Sequence, residues 1–442
     1  MKTLLLKPKT TSLVANGFSA LIAIASFSIL TRLFDSEELA YWTFFISLSA
    51  LYTSLNQGLR DQFFIKRWNE LRITSERSEL IGSAWRSTII VLTLAIITLV
   101  ILFIIIDFFT DNTFYNELII MLILFVLFDT PYRMALCKLK ANMEFGKILR
   151  YKIFVEVLFF SVIISLFYLN TIGEEFTEIY WSVGASYLII RIIISLVAIN
   201  LGDSGIQKYK YGTKYGRNEM IDFGRFALGT QLVSSFLADS DFYLVHGIRG
   251  AALSSVFVVA KRCLPIIILA TNSLAEVSYI KIATVWGSDK SKIRREFHRE
   301  LGVLTLLMWP ICALTFVLAD EIIILIGGSE YEQSVPVFRA MVVCMFLLPI
   351  DKMIGIGLNS FNMPNKNFEK MIVILTVNIF GDLLILYMGG GLIGVAYITV
   401  LALLMGILYG YLFMRKVLKI SFYYALKEGV ELLWSKRREP AN

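Results

Sequence analysis

The feature that most constrains this chain is a series of apolar stretches about as long as a bilayer is thick. Crossing a hydrocarbon core of roughly 30 Å takes about 20 helical residues. Twelve stretches of that order run through the 442 residues: 12–34, 39–59, 87–109, 118–135, 153–169, 177–199, 221–241, 251–280, 301–326, 335–358, 371–387 and 391–414. Hydrophobic residues make up 57% of the chain and charged residues only 17%. An ordinary soluble domain has roughly 25% charged residues, so soluble classes are excluded. The expectation is an all-α integral membrane protein with little mass outside the bilayer. A basic leader (Lys2, Lys7, Lys9) precedes the first stretch, and the second follows after only Asp35, Ser36, Glu37 and Glu38. The first stretch therefore reads as a retained span, not a cleaved signal.

Charge placement gives orientation. One set of connections carries Arg60, Lys66, Arg67, Arg72 and Arg77, then Lys138, Lys140, Lys147 and Arg150, then Lys208, Lys210, Lys214 and Arg217. It continues with Lys281, Lys290, Lys292, Arg294, Arg295 and Arg299, then Lys366 and Lys370. The opposite set is short and acidic: Glu37 and Glu38, Asp111 and Glu117, Glu174 and Glu175, Glu330 and Glu332. The alternation is unbroken across twelve spans. The positive-inside bias then predicts both termini in the cytoplasm. The +7 net charge is mostly a topology signal.

The longest central hydrophilic gap, about 200–220, splits the spans six and six. Arg32-Leu33-Phe34, Leu39-Ala40-Tyr41-Trp42 and Phe64-Ile65-Lys66 in the first half have loose counterparts in the second. These are Gly247-Ile248-Arg249, Leu253 to Phe257 and Tyr279-Ile280-Lys281. Repeated halves are common in secondary transporters. The expected organisation is two six-helix bundles related by pseudo-twofold symmetry, 1–205 and 206–414, with an amphipathic basic cytoplasmic tail at 415–442. The tail would lie on the inner leaflet.

Motifs for catalysis or nucleotide binding are missing: there is no GxxxxGK[ST] loop, no GxSxG elbow and no HExxH pair. Cys137, Cys263, Cys312 and Cys344 have no CxxC partner, and His246 and His298 lie far apart, so neither a disulfide framework nor a metal or cofactor site is expected. The informative residues are charges within spans, which are costly in lipid and tend to line cavities or pair. Lys261 and Arg262 lie about 15 Å into the eighth span, at 1.5 Å per residue, and Pro265 loosens the helix there. Asp239 and Asp241 are expected near the outer end of the seventh span, too far to neutralise the pair. Arg191 lies in the inner half of the sixth span, within snorkelling reach of the surface. Arg32 and Arg249 occupy corresponding places at the outer mouth. Asp129 and Arg133 suggest an internal pair, and Asp382 is the deepest acid of the second half. The deep charges are mostly cationic, which suits an anionic substrate such as a diphosphate head group.

The opening carries Asn16-Gly17, Thr31-Arg32-Leu33-Phe34, Glu37-Glu38-Leu39-Ala40-Tyr41 and Asn56-Gln57-Gly58-Leu59. With these residues the chain resembles the Wzx-type polysaccharide (oligosaccharide) flippases of the multidrug/oligosaccharidyl-lipid/polysaccharide exporter superfamily. Val259-Ala260-Lys261-Arg262-Cys263-Leu264-Pro265 resembles the matching helix of the related lipid II flippases, whose charged residues line the lumen. Those relatives usually have fourteen helices, against twelve spans here. The resemblance implies a non-enzymatic carrier in the bacterial cytoplasmic (inner) membrane. It would translocate polyprenyl-diphosphate-linked oligosaccharide from the cytoplasmic to the outer face, for O-antigen, capsule or exopolysaccharide. The substrate would be held by Arg262, Lys261, Arg191 and Arg32, with Asp382 and Asp129 as candidate sites for H+ or Na+ coupling. Polysaccharide polymerase machinery would be a partner. The alternatives are a cation-coupled multidrug antiporter of the same fold, against which the absence of an acid in the first span counts, and a membrane glycan polymerase or ligase, which usually has a long outer loop.

Overall fold

The computed structural model describes residues 8–71, 73–109, 113–172, 179–284, 290–361 and 363–436, and among these the chain is helical, without strands. Each of the twelve apolar stretches falls on a helix, or on a pair of helices separated by a break. Nine helices among the described residues are long and apolar enough to cross a membrane, and Gly17–Leu33 adds a shorter apolar segment. The chain divides into two compact units, Met1–Phe236 and Leu237–Asn442.

In the first unit, α1 (Pro8–Leu33) is followed by α2 (Ser36–Asn56) after a sharp turn. Asp35 caps α2, accepting from the backbone N–H groups of Glu37 and Glu38 at 2.8 Å, and Glu38 accepts from the Asp35 N–H at 3.1 Å. This reciprocal box explains why an acidic tetrapeptide suffices to reverse the chain. A π-helical turn at Gln57–Asp61 leads into α3 (Gln62–Glu70). Then come α4 (Thr74–Phe109), α5 (Thr113–Ala141), α6 (Phe145–Thr171) and α7 (Ile179–Asn200). The core holds Trp42, Phe45, Phe125, Phe159 and Tyr187 in mutual edge and stacked contacts, with ring centroids 5.2–6.2 Å apart. By contrast, Leu94, Ile104 and Phe108 of α4 are more than half exposed. A soluble protein rarely presents so long an apolar face, and lipid is the solvent that covers it.

The central hydrophilic gap belongs to this unit. A 3₁₀ turn at Ile206–Tyr211 lies across α4, with Gly82 and Gly212 so close that a Cβ on either would overlap the other's backbone. Trp85 donates to the Ser204 carbonyl at 3.0 Å, and Thr213 donates to Glu79 at 2.7 Å. The gap is therefore a packed strap, and the compact unit runs past 205 into α8 (Lys214–Arg249).

The second unit continues with α9 (Ala251–Arg262), α10 (Pro265–Thr284), α11 (Lys290–Val317), α12 (Ala319–Gly327), α13 (Ser334–Ser360), α14 (Pro364–Tyr387), α15 (Leu392–Leu418) and α16 (Phe422–Lys436). Helix α15 packs on α13 and α14, and α11 on α10 and α13. The amphipathic tail helix α16 docks on α11. Gly302 lies against the backbone at Ala425 and Gly429, and His298 Nε2 accepts from the Ser421 N–H at 3.0 Å. Tyr423, Tyr424 and Trp434 stay exposed, while Arg437 and Arg438 lie outside the described residues. A Gly302→Leu change should push α16 off α11 at a cost of about 1–3 kcal/mol for overpacking. Trypsin cleavage after Lys427 in the purified protein should then be faster than in the wild type; an unchanged rate would show that this contact does not hold the tail.

Candidate functional site

The α8–α9 hairpin turns at Gly250, whose φ of 83° suits a residue without Cβ. Asp239 and Lys261 lie eleven residues on either side of it, so an antiparallel pair brings them to the same depth. Lys261 Nζ is 3.2 Å from Asp239 Oδ1 and also donates to the Ala238 carbonyl. This corrects the expectation that Asp239 is too far away to neutralise the Lys261–Arg262 pair: depth has to be counted from the turn on both arms. Asp239 also acts electrostatically on Arg262, and Lys261 on Asp382.

Helix α9 ends at Arg262 and α10 begins at Pro265. Pro265 has no N–H to continue the ladder, and the Cys263 and Leu264 amides close the end with short-range bonds to Ala260 and Lys261. Lys261 and Arg262 thus stand at the partially negative carbonyl end of a helix, where cations are favoured. A helix broken inside a span is a usual construction for substrate sites in carriers.

A second polar cluster links α8, α14 and α15. Asn378 Nδ2 donates to Asp241 Oδ1 at 2.6 Å and to Asp382 Oδ2 at 2.9 Å. Thr399 Oγ1 donates to Asp241 Oδ2 at 3.1 Å. Asn378 and Asp382 are fully buried and Asp241 nearly so. Asn378 thus bridges Asp241 and Asp382, and Lys261 acts electrostatically on Asp382. Sequence reading singled out Asp382 but treated Asp241 only as a partner for Lys261, and passed over Asn378 and Thr399. The available signal was the Asn378/Asp382 spacing, which places two polar groups on one face of an apolar helix.

In the first unit, Asp129 is fully buried between Arg133 (2.5 Å) and Arg191 (3.3 Å). Arg191 also donates to Tyr187 Oη at 2.7 Å and sits 4.7 Å from the centroid of that ring. The expected Asp129–Arg133 pair is present, and Arg191 joins it inside the unit. Arg32 is exposed on α1 and bonds to Ser28 of its own helix. Arg249 caps the end of α14, donating to the carbonyls of Leu386 and Gly390, each at 3.0 Å. A buried pair that sequence reading missed is Arg60–Asp61 in the π-helical turn, at 2.7 Å.

The sequence model of a family described as "Polysaccharide biosynthesis protein" matches residues 29–336. The chain belongs to that family. A curated relative, the "Probable flippase AglR" of Haloferax volcanii, is 24% identical over 158 residues, which is 35% of this chain. The aligned part spans only about a third (33%) of that relative. Among solved structures, "Lipid II flippase MurJ, inward closed conformation" matches with a TM-score of 0.74 at 16% identity, over 97% of this chain and 93% of that one. An inward-facing "multidrug resistance MATE family transporter of the MOP superfamily" matches with a TM-score of 0.68 at 14% identity, over 91% and 96%. The fold is that of this superfamily. The family is one of polysaccharide biosynthesis, and the fold is shared with solved flippase and transporter structures.

In this family member Asp129 pairs with two guanidinium groups at once. Asp129→Ala should cost about 3–5 kcal/mol, the range for breaking a buried ion pair. The fluorescence-detected melting temperature of the solubilised protein is the check, and a wild-type value would refute the shared-carboxylate description.

Proposed function

We propose that this protein is a flippase for polyprenyl-diphosphate-linked oligosaccharide, moving it from the cytoplasmic to the outer face of the bacterial inner membrane for surface polysaccharide such as O-antigen, capsule or exopolysaccharide. Both termini are cytoplasmic in this reading, because the lysine- and arginine-rich connections lie on that side. The observation that supports it most is the pair of basic side chains, Lys261 and Arg262, at a helix break inside a span, in a chain of the polysaccharide biosynthesis family.

Sugar hydroxyls and phosphates cannot cross hydrocarbon unpaired. Arg262 and Lys261 would hold the diphosphate while the isoprenoid tail stays in lipid. Arg191 and Arg32 would assist along the path. The two halves of the chain, divided at 205/206 by the sequence repeat, would rock in alternating access. An inside-negative potential favours outward movement of the anionic substrate by about 2.3 kcal/mol per charge per 100 mV.

The Asp241–Asn378–Asp382–Thr399 cluster would add coupling. It offers oxygen ligands and a carboxyl pair for a proton or Na+. Binding there joins α8, α14 and α15, and release lets them separate. Asp129, already paired twice, would be a poorer coupling group. Polymerase machinery at the outer face would consume the product.

Arg262→Ala should abolish surface glycan while the protein still accumulates in the membrane. Normal glycan in that variant would remove the assignment. Asp382→Asn should leave substrate binding in place and abolish the response of transport to an imposed proton or sodium gradient, measured in proteoliposomes. A response equal to wild type would show that coupling lies elsewhere or is absent.

A further inference from the structure

Helix α16 has two unlike faces. The side that meets α11 is built from small residues: Ala425 and Gly429 lie against the backbone at Gly302, and the Ser421 N–H donates to His298. The acids of the helix lie towards that side. Glu428 and Glu431 line a groove with Arg295 and Arg299 of α11, and both arginines act electrostatically on Glu428. The opposite side carries Tyr423, Lys427, Val430 and Trp434. Their spacing of i, i+4, i+7 and i+11 makes one stripe along a helix. All four are exposed, Tyr423 at 72% and Trp434 at 60%. The stripe combines aromatic rings, an aliphatic side chain and a cation, and contains no acid.

The end of α15 indicates what this stripe lies against. Leu401, Leu404, Leu408 and Leu412 form an exposed apolar row on α15, the face of a span turned to lipid. The row continues at the same spacing into Arg415 and Lys419, which are also exposed. Leucine giving way to arginine and lysine within one row marks where hydrocarbon ends and head groups begin. Lys419, with a φ of 50°, caps the helix there, and α16 starts three residues later at Phe422. The stripe therefore begins at head-group level. Tyrosine and tryptophan concentrate at that level because each joins an apolar ring to a polar O–H or N–H. Basic side chains there meet the negative surface of the cytoplasmic leaflet.

We propose that the stripe of Tyr423, Lys427, Val430 and Trp434 is a binding surface for anionic phospholipid, with Arg415 and Lys419 at its edge. The acids, which a negative surface would repel, are kept on the α11 side. The sequence places the tail on the inner leaflet without saying which face meets it; the two-sided packing of α16 assigns the face, and its charge assigns the class of lipid. The proposal takes from the flippase reading only the cytoplasmic side of the tail. It does not depend on what the protein transports.

The test uses the full-length protein in phosphatidylcholine nanodiscs, with and without phosphatidylglycerol. A nitroxide on Val430→Cys should collide more with oxygen, which concentrates in lipid, than with a water-soluble nickel chelate, and phosphatidylglycerol should widen that difference. The wild-type protein, whose four cysteines are buried, gives the labelling background. A label reached mainly by the nickel chelate in both lipids puts the stripe in water and overturns the proposal. Dipolar broadening between labels would put a second copy of the chain on the stripe and also overturns it. Lipid class is read from the quenching of Trp434, taken as the wild-type signal less that of Trp434→Phe. Brominated phosphatidylglycerol should quench more than brominated phosphatidylcholine. Lys427→Gln should lower that preference about fivefold, the worth of one basic residue near a negative surface, whereas Lys427→Arg should keep it. Equal quenching by the two lipids, or an unchanged preference in Lys427→Gln, overturns the anionic assignment. A Lys427→Gln protein that melts below its arginine counterpart would trace the loss to folding and likewise count against the site. Surface glycan in Arg262→Ala cells tests the flippase reading separately and does not depend on these lipid measurements.

Discussion

The structure depends on one constraint: a polar group placed inside a membrane span has to find its partner within the protein. Water is not available there, and an unsatisfied charge costs several kcal/mol. The described spans meet this demand with compact clusters. Asp129 serves Arg133 and Arg191, Asp239 serves Lys261, and Asn378 and Thr399 serve Asp241. Each cluster ties together helices that would otherwise meet only through apolar packing, which between lipid-facing helices has no hydrophobic driving force. The clusters thus fix which helix faces turn inward.

The clusters differ in how fully they cancel. Around Asp129 two guanidinium groups share one carboxylate and an aromatic cage, so the remaining positive charge is spread over Tyr187 and its neighbours. At the α9–α10 break, Arg262 and Lys261 share Asp239. At Asp241 and Asp382 two acids meet, bonded to Asn378 and Thr399, with Lys261 acting on Asp382 from the neighbouring cluster.

Much of the fold was legible because lipid imposes simple rules. Span length follows from bilayer thickness, and the Asp35 cap follows from the acidic tetrapeptide. The α9–α10 break lies at Pro265, whose missing N–H weakens the ladder there, although Pro131, Pro310 and Pro349 sit within continuous helices. The site was less legible. The depth of Asp239 was misjudged because distance was counted from one arm of a hairpin and not from its turn at Gly250. Asn378 and Thr399 went unnoticed because neutral polar residues are common in spans, and only proximity to Asp241 and Asp382 gives them a role. The strap at 206–213 reads as a linker by composition, yet Gly82 and Gly212 bring it backbone to backbone with α4.

The sequence by itself determined that the chain is helical, that it lives in a bilayer and which ends of the spans carry the basic residues. Those properties are sums over local composition: hydrocarbon admits only helices or closed barrels, and continuous apolar stretches of about 20 residues select helices. Tertiary structure alone decided which charges cancel and which remain. Each deciding contact is short-range, whether the ion pair of Asp129 with Arg191, 62 positions apart, or the hydrogen bond from Thr399 to Asp241, 158 apart. No local pattern encodes such a pairing. It exists only once helix packing has chosen the faces that meet.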